Sequence, residues 1–419
     1  AGSSPVTPDI FFLKINFPKN GARKALCPYW NDLVKGILYI ISYCVKCLSA
    51  ERESMEQADF RPVVGTRVWR GPDLAEREDD WTYRLSADDI AALDDAVTRI
   101  AARDMDVLDI TREQFPLSGL ADVLKGIEGD LQDGLGFKMI RGVPVERYDI
   151  REAAIAYFGI GSHLGEAVSQ NAAGHALGHV CNLGFDPSLP TARGYQSANK
   201  LNFHTDPTDL VGLMCLRKAK SGGLSSIVSS GTVFNEMLKL RPDLVKVLSE
   251  TLYRDRRGEI PEGREPWYRL PVFNFRDGRL TTNYVRSTIE KAQRFNDVPR
   301  LTDAQREAFS LIERIASDPL VYLNMDFEPG DIQLLNNHYI MHSRTAYEDY
   351  PEPARRRHLM RLWLATEAGP PLADPYYEFM DKTDSGRPNG YLMPGVKLTA
   401  PLLVEDGGPG ASEQRVANA

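Results

Sequence analysis

EPGDIQLLNNHYIMHSR, residues 328–344, reads as a tight turn that launches a strand and ends on a histidine. Pro329-Gly330 supplies the turn, because proline presets the backbone and glycine accepts dihedrals that other residues avoid. Asp331–Leu335 is a short, apolar-rich run stopped by the polar pair Asn336-Asn337, as expected of a buried strand. His338 and His342 follow. On a flat strand they would stand about 13 Å apart at ~3.3 Å per residue, too far to share one metal ion.

Working outward, the densest chemical signal is LNFHTD, residues 201–206. Residues i and i+2 of a strand project from one face, so His204 and Asp206 present an imidazole and a carboxylate to one point. Taken alone, the tripeptide also fits a surface histidine beside a turn aspartate. A metal site of two histidines and one carboxylate needs a second imidazole from elsewhere. Of the seven histidines, His163 reads as a packed or capping residue on its helix. His175-x3-His179 has the i, i+4 spacing of a zinc helix. However, no acid lies between the two, and the flanking Ala and Gly residues suggest a loop, so this pair is the runner-up metal site. His338, His342 and His358 remain, and His342 lies 138 residues after His204. Further on, Arg357 and Arg361 share strand parity with Leu359 and Trp363, which turns both arginines to one side. A buried arginine without a partner is costly. Two on one face therefore call for an acidic partner or an anionic ligand.

Elsewhere, Ser86–Arg103 reads as an amphipathic helix capped by Ser86, with Ile90, Leu93, Val97 and Ile100 on its apolar stripe. Leu117–Leu131, Ile150–Leu164 and Thr232–Leu240 are further expected helices. Gly136–Pro144, Leu210–Leu216, Ser225–Ser229 and Arg357–Leu364 are expected strands. Helices thus gather early and short strands dominate the second half, giving a mainly β core with helical additions. From Gly369 onward Pro and Gly are frequent, and the tail (369–419) reads as loop-rich and partly disordered. No internal repeat is apparent.

The chain has 419 residues, 42% hydrophobic and 26% charged, with a net charge of −8. These values exclude disorder throughout, and with no basic run they point away from nucleic acid. A few buried arginines can still bind an anionic substrate in an acidic protein. Five cysteines, an odd and sparse number, argue against a disulfide framework and for a reducing, cytoplasmic location. The longest apolar run, 36–45, is too short to span a membrane. Residues 1–54 differ from the rest. Seven Lys/Arg against four Asp/Glu give them +3, and taking that from −8 leaves −11 elsewhere. Three of the five cysteines also fall there, including the Cys44-x-x-Cys47 pair. We expect a leader (1–54) outside the functional domain, with Met55 as the natural start. A helical region (55–135) then packs on a core domain (136–368).

FHTD at 203–206, KSGGLSS at 220–226, EPGDIQLLNNHYIMHSR at 328–344 and RRRHLMRLWL at 355–364 occur in the order and spacing of one known family. Between about Gly136 and Leu364 the sequence resembles the taurine dioxygenase (TauD/TfdA) and clavaminate synthase-like Fe(II)/2-oxoglutarate oxygenases. The resemblance implies a double-stranded β-helix, a jelly-roll of cupin type. It implies that His204, Asp206 and His342 are the metal ligands. It matches Arg357 to the arginine that grips the far carboxylate of 2-oxoglutarate. It matches Ser225, or Ser226 one residue on, to a hydroxyl on that carboxylate, and Arg361 to an arginine that contacts cosubstrate or substrate. The implied cofactors are Fe(II), 2-oxoglutarate and O2. The implied reaction is oxidation of a small polar or anionic molecule with release of succinate and CO2. An intact Asp206 carboxylate favours hydroxylation over halogenation and leaves desaturation and ring closure open. Arg361, Asn202 and Ser169–Asn171 are candidates to face the substrate. No nucleic-acid or membrane partner is expected, and a homo-oligomer stays open. A cupin-like hydrolase or isomerase, or a non-catalytic binding protein, would use the same fold without consuming cosubstrate.

Overall fold

A computed structural model describes residues 60–103, 105–184 and 193–404. The expectations for residues 1–54, the Cys44/Cys47 pair and the start at Met55 lie outside them.

The amphipathic stretches form helices where their caps allow. Ser86 Oγ accepts the Asp89 N–H, and the Asp89 carboxylate accepts the Ser86 N–H, starting α1 (Ala87–Ala101). Asp149 and Glu152 make the same reciprocal cap on α3 (Ile150–Ser162), and α2 (Leu120–Asp133) lies between the two in sequence. These helices bury Leu93, Leu124 and Ile155 against one face of a large sheet.

That sheet has seven strands: β1 (Thr82–Arg84), β2 (Phe137–Arg141), β3 (Glu166–Ala167), β4 (Leu177–Val180), β6 (Leu210–Arg217), β11 (Ile332–Asn336) and β13 (His358–Ala365). Their order is β1-β2-β11-β6-β13-β3, with β4 also paired to β13. A second sheet of four strands contains β5 (Leu201–His204), β7 (Ser225–Ser229), β10 (Leu323–Met325) and β12 (Ile340–Arg344), in the order β10-β7-β12-β5. Strand parity decides what lies between the sheets. On β13, Met360, Leu362 and Leu364 face the helices. Leu359 and Trp363 face the other way, into a core shared with Ile227, Leu323 and Ile340 of the small sheet. Arg361 shares that inward parity.

One expectation needs correction. Helices are not confined to the first half. Besides α4 (Ser230–Leu240), α5 (Asp303–Ala316) buries Phe309, Ile312 and Ile315, and Thr302 caps it with Gln305. The fold is a mixed, sheet-rich one. The tail is described through residue 404, mostly as loops and turns around the short helix Pro375–Phe379. Its Arg387 side chain reaches the buried Asp209, and Gly390 and Thr399 bridge to Ser169 and His175. No helix among the described residues is long and apolar enough to cross a membrane.

Candidate functional site

β5 and β12 pair antiparallel with His204 directly opposite His342, across the long sequence separation. Opposed residues in such a pair share a face, and the two imidazole centroids lie 4.3 Å apart. β5 ends at His204, so Asp206 is not its strand neighbour as expected. It sits in the next turn of chain. Asn337 Oδ1 holds that turn through the Asp206 N–H (3.0 Å), and Tyr284 holds it through Thr205. The side chains still converge: one ligand atom from each of His204, Asp206 and His342 lies within 4.8 Å of the others, the one such cluster among the described residues.

Each donor is set up for a cation. His204 Nδ1 donates to the Asn202 carbonyl (2.8 Å), which leaves the Nε2 lone pair available. His342 Nδ1 is buried with no partner among the described residues. Burial, with His204 nearby, pushes His342 down to about 3, and burial also lowers His204, so both rings are neutral ligands. Burial alone would raise Asp206, but Arg361, His342 and His204 hold it down to about 2. Its Oδ2 accepts from Trp363 Nε1 (2.8 Å) and Arg361 (3.2 Å). A carboxylate and two neutral imidazoles suit a first-row divalent metal.

The cavity beside this cluster encloses about 510 Å³. At one end β7 and β12 set Ser225 opposite Arg344, and Arg357 enters from the start of β13. Both arginines are 5% exposed and neither forms an ion pair among the described residues. Arg357 Nη1, Arg344 Nε and Arg344 Nη1 have no hydrogen-bond partner there either. Burial, then each other's charge, brings Arg344 down to about 10, and burial lowers Arg357. Gly223 admits the Arg357 side chain: it sits at φ +74, and a Cβ there would lie 3.1 Å from Arg357 Nε. Ser226 points the opposite way, onto Asn324 (2.6 Å).

The structure therefore gathers His204, Asp206, His342, Ser225, Arg357 and Arg361 around one cavity. The two arginines are not equivalent: Arg361 has its acidic partner in Asp206 and its Nε on Gln170, whereas Arg357 has none. Asn202 lines the cavity, while Gln170 reaches it only through Arg361. His175 and His179 do not form the zinc helix that their spacing suggested. The second lies on β4 rather than on a helix, bonded to His358 (2.8 Å), and the first is bonded to Asn171. His338 is bound to Asp209 and His163 to the Phe115 carbonyl. Sequence reasoning missed Arg344, although it stands two residues after His342 on the same strand face.

Comparison with known proteins agrees with this geometry. The family described as taurine catabolism dioxygenase TauD, TfdA family, matches residues 102–363. FR-33289 synthase of Streptomyces rubellomurinus is 32% identical over 74% of this chain and 92% of its own length. Taurine hydroxylase-like protein SAT17 of Stachybotrys chartarum is 31% identical over 68% of this chain and 75% of its own. Among solved structures, asparagine oxygenase superposes with a TM-score of 0.54 at 15% identity, covering 68% of this chain and 94% of that one. The non-haem iron oxygenase OrfP does so at 0.53 and 16%, covering 74% and 99%. The match spans well over half of the sequence and includes the triad, so the chain belongs to the TauD/TfdA family of dioxygenases, enzymes that depend on Fe(II) and 2-oxoglutarate.

Proposed function

We propose that this protein hydroxylates a polar or anionic small molecule at the His204–Asp206–His342 centre, consuming 2-oxoglutarate and O2 and releasing succinate and CO2. The observation that carries the reading is the pairing of a converged metal-ligand set with two buried arginines that form no ion pair among the described residues, in one cavity. Each arginine needs an anion, and the triad needs a cation. Structures of the neighbours named above hold Fe(II), succinate and 3-hydroxyasparagine, or hydroxylated arginine, which supports hydroxylation.

His204, Asp206 and His342 would hold Fe(II), which with 2-oxoglutarate and O2 supplies the oxidising power for a C–H bond. The protein's own groups do the positioning. Arg357 and Arg344 grip the far carboxylate of 2-oxoglutarate through planar, charge-assisted forks, with Ser225 beside them. Arg361 and Trp363 fix Asp206 through Oδ2 and so aim Oδ1, which makes Arg361 mainly a positioning residue. Val180, Leu213 and Phe327 line the same cavity and keep water from the reacting atoms. We assign the catalytic core to residues 136–368 on a double-stranded β-helix, with the described helices that precede it packed on its large sheet. Cys181 and Cys215, buried free thiols, support a reducing, cytoplasmic setting.

Succinate release from 2-oxoglutarate tests the reading. It should require Fe(II), stop on chelation, and disappear in His342→Ala but persist in His175→Ala. Full activity in His342→Ala would overturn the metal assignment.

A further inference from the structure

The charges around the cavity do not balance, and the imbalance is local. Three carboxylates line it, and each is occupied. Asp206 serves Arg361, and Glu290 and Glu313 both serve Arg286. Just behind the lining, Glu259 serves Arg193 and Asp255 serves Arg294. Arg344 and Arg357 account for the cosubstrate end. Arg257 remains. It has no ion pair among the described residues, its Nε is buried without a partner, and its one side-chain hydrogen bond runs to Ser287 Oγ at 3.3 Å. It lines the same cavity as the triad.

The backbone at Arg257 adds a second, independent observation. A ribbon of β8 (Tyr253–Asp255) and β9 (Trp267–Arg269) carries a tight turn closed by the Glu259 N–H on the Arg256 carbonyl. Arg257 occupies its first central position at φ +57, followed by Gly258 at +82. Such turns favour Asn, Asp or Gly at that position, and a longer side chain there is strained. Asp277, the one other non-glycine with positive φ among the described residues, has a residue type that suits its turn. Arg257 has not. Its strained backbone is pinned by its N–H on Asp255 Oδ1 (2.7 Å), a carboxylate that Arg294 grips with two hydrogen bonds. The turn does not need arginine, so the reason for arginine lies in the cavity.

We infer that Arg257, with Ser287 beside it, is the substrate anchor, binding an oxyanionic group of the prime substrate in the cavity that the triad lines. This rests on the oxygenase reading above and names the substrate class for it: an organic carboxylate, sulfonate or phosphonate whose reacting carbon reaches the triad while its anion sits on the β8–β9 turn. It also moves the anchor off Arg361, which is committed to Asp206.

The test is binding rather than turnover. The full chain is loaded with redox-inert Zn(II) and saturating 2-oxoglutarate. Propionate, ethanesulfonate, ethylphosphonate and neutral propionamide are then titrated by ligand-observed NMR. At least one anion should bind, and propionamide at least about tenfold more weakly. The three anion arms separate a planar from a tetrahedral group. Arg257→Gly should weaken the bound anion roughly 10- to 100-fold and Ser287→Ala several-fold, with Arg257→Lys falling between. Because glycine adopts this φ freely, Arg257→Gly should not lower the melting temperature. Equal binding of anion and amide, wild-type affinity in Arg257→Gly, or a large fall in its melting temperature each overturns the anchor. So does a loss of 2-oxoglutarate affinity in Arg257→Lys in place of anion affinity. If the wild-type chain binds no 2-oxoglutarate at all, the oxygenase reading fails first and takes the anchor with it.

Discussion

Two buried aspartates three residues apart do opposite things. Asp206 and Asp209 each face a histidine and an arginine. Asp209 receives His338 Nε2 and Arg387 Nη2 on Oδ1, and Arg387 Nε and the Thr366 N–H on Oδ2. Burial would raise it, but His338 and Arg387 hold it low, and both of its oxygens are filled. Asp206 uses only Oδ2, and the histidines beside it keep nitrogens that nothing in the described chain takes up. A saturated cluster is architecture, here clasping the tail to the sheet. An unsaturated one is a binding site, because buried polar groups left without partners are rare in the absence of a ligand.

The same substitution should therefore have opposite consequences at the two positions. In Asp209→Asn an amide N–H₂ must face a guanidinium or imidazole donor in a closed cluster. We expect a loss of roughly 3–5 kcal/mol in urea unfolding, the usual cost of breaking a buried charge pair. Asp206→Asn can keep its oxygen on Trp363 and turn the amide toward the cavity. Its stability should change far less, while succinate release falls at least roughly 100-fold. Similar stability losses in both variants would end the distinction between clasp and site.

The arginines sharpen it further. Arg357→Lys replaces a planar fork with a point charge, so the 2-oxoglutarate requirement should rise roughly 10- to 100-fold. Arg387→Lys breaks a fork of the same kind, but on Asp209. It should lower the unfolding midpoint and leave that requirement where it was. Succinate release against 2-oxoglutarate concentration decides the matter.

A third cluster separates saturation from charge compensation. Arg217 donates to His358 Nδ1 (3.1 Å), His358 Nε2 to His179 Nδ1 (2.8 Å), and His179 Nε2 to the Pro401 carbonyl (2.8 Å). Every imidazole nitrogen of this relay is used, and neither Arg217 nor His358 forms an ion pair among the described residues. Burial, then His179, Arg217 and Arg357, push His358 down to about 3. An unfolded histidine titrates near ~6.5, so between those values the unfolded chain binds the extra proton. Stability is then whole above about pH 6.5 and drains as pH falls toward 3. His358→Gln should flatten the loss of the urea midpoint between pH 7.5 and 5. An unchanged slope would place the titrating group elsewhere.

Five strands were legible as short apolar-rich or alternating runs beside turn residues, and the first helix because Ser86 announces its start. The helix after Thr302 carries the same kind of cap and an apolar stripe, so its signal was present and went unread. The anchoring of the tail was unreadable for a different reason. It comes from Arg387 meeting Asp209 178 residues away, a contact no local pattern encodes. The triad was legible only through the family resemblance, since the residues alone left His338, His342 and His358 open as the third ligand. Arg257 was not, since its role depends on which carboxylates other arginines have already taken.

The smallest effect concerns a choice that sequence left between two adjacent serines. β7 alternates, so Ser225 and Ser226 face opposite sides of one sheet. Ser225 is opposite Arg344 and lines the cavity, where its hydroxyl lies 3.3 Å from Gln333 Nε2. Ser226 is opposite Ser343 and hydrogen-bonds Asn324 outside it. Removing one neutral hydrogen bond costs about 0.5–1.5 kcal/mol, roughly two- to twelve-fold in an equilibrium. In Ser225→Ala that loss should appear in the 2-oxoglutarate requirement. In Ser226→Ala it should appear in the unfolding midpoint, with the requirement unchanged. A reversal would mean that β7 is displaced by one residue, and such a slip would carry every inward side chain of the strand to the other face.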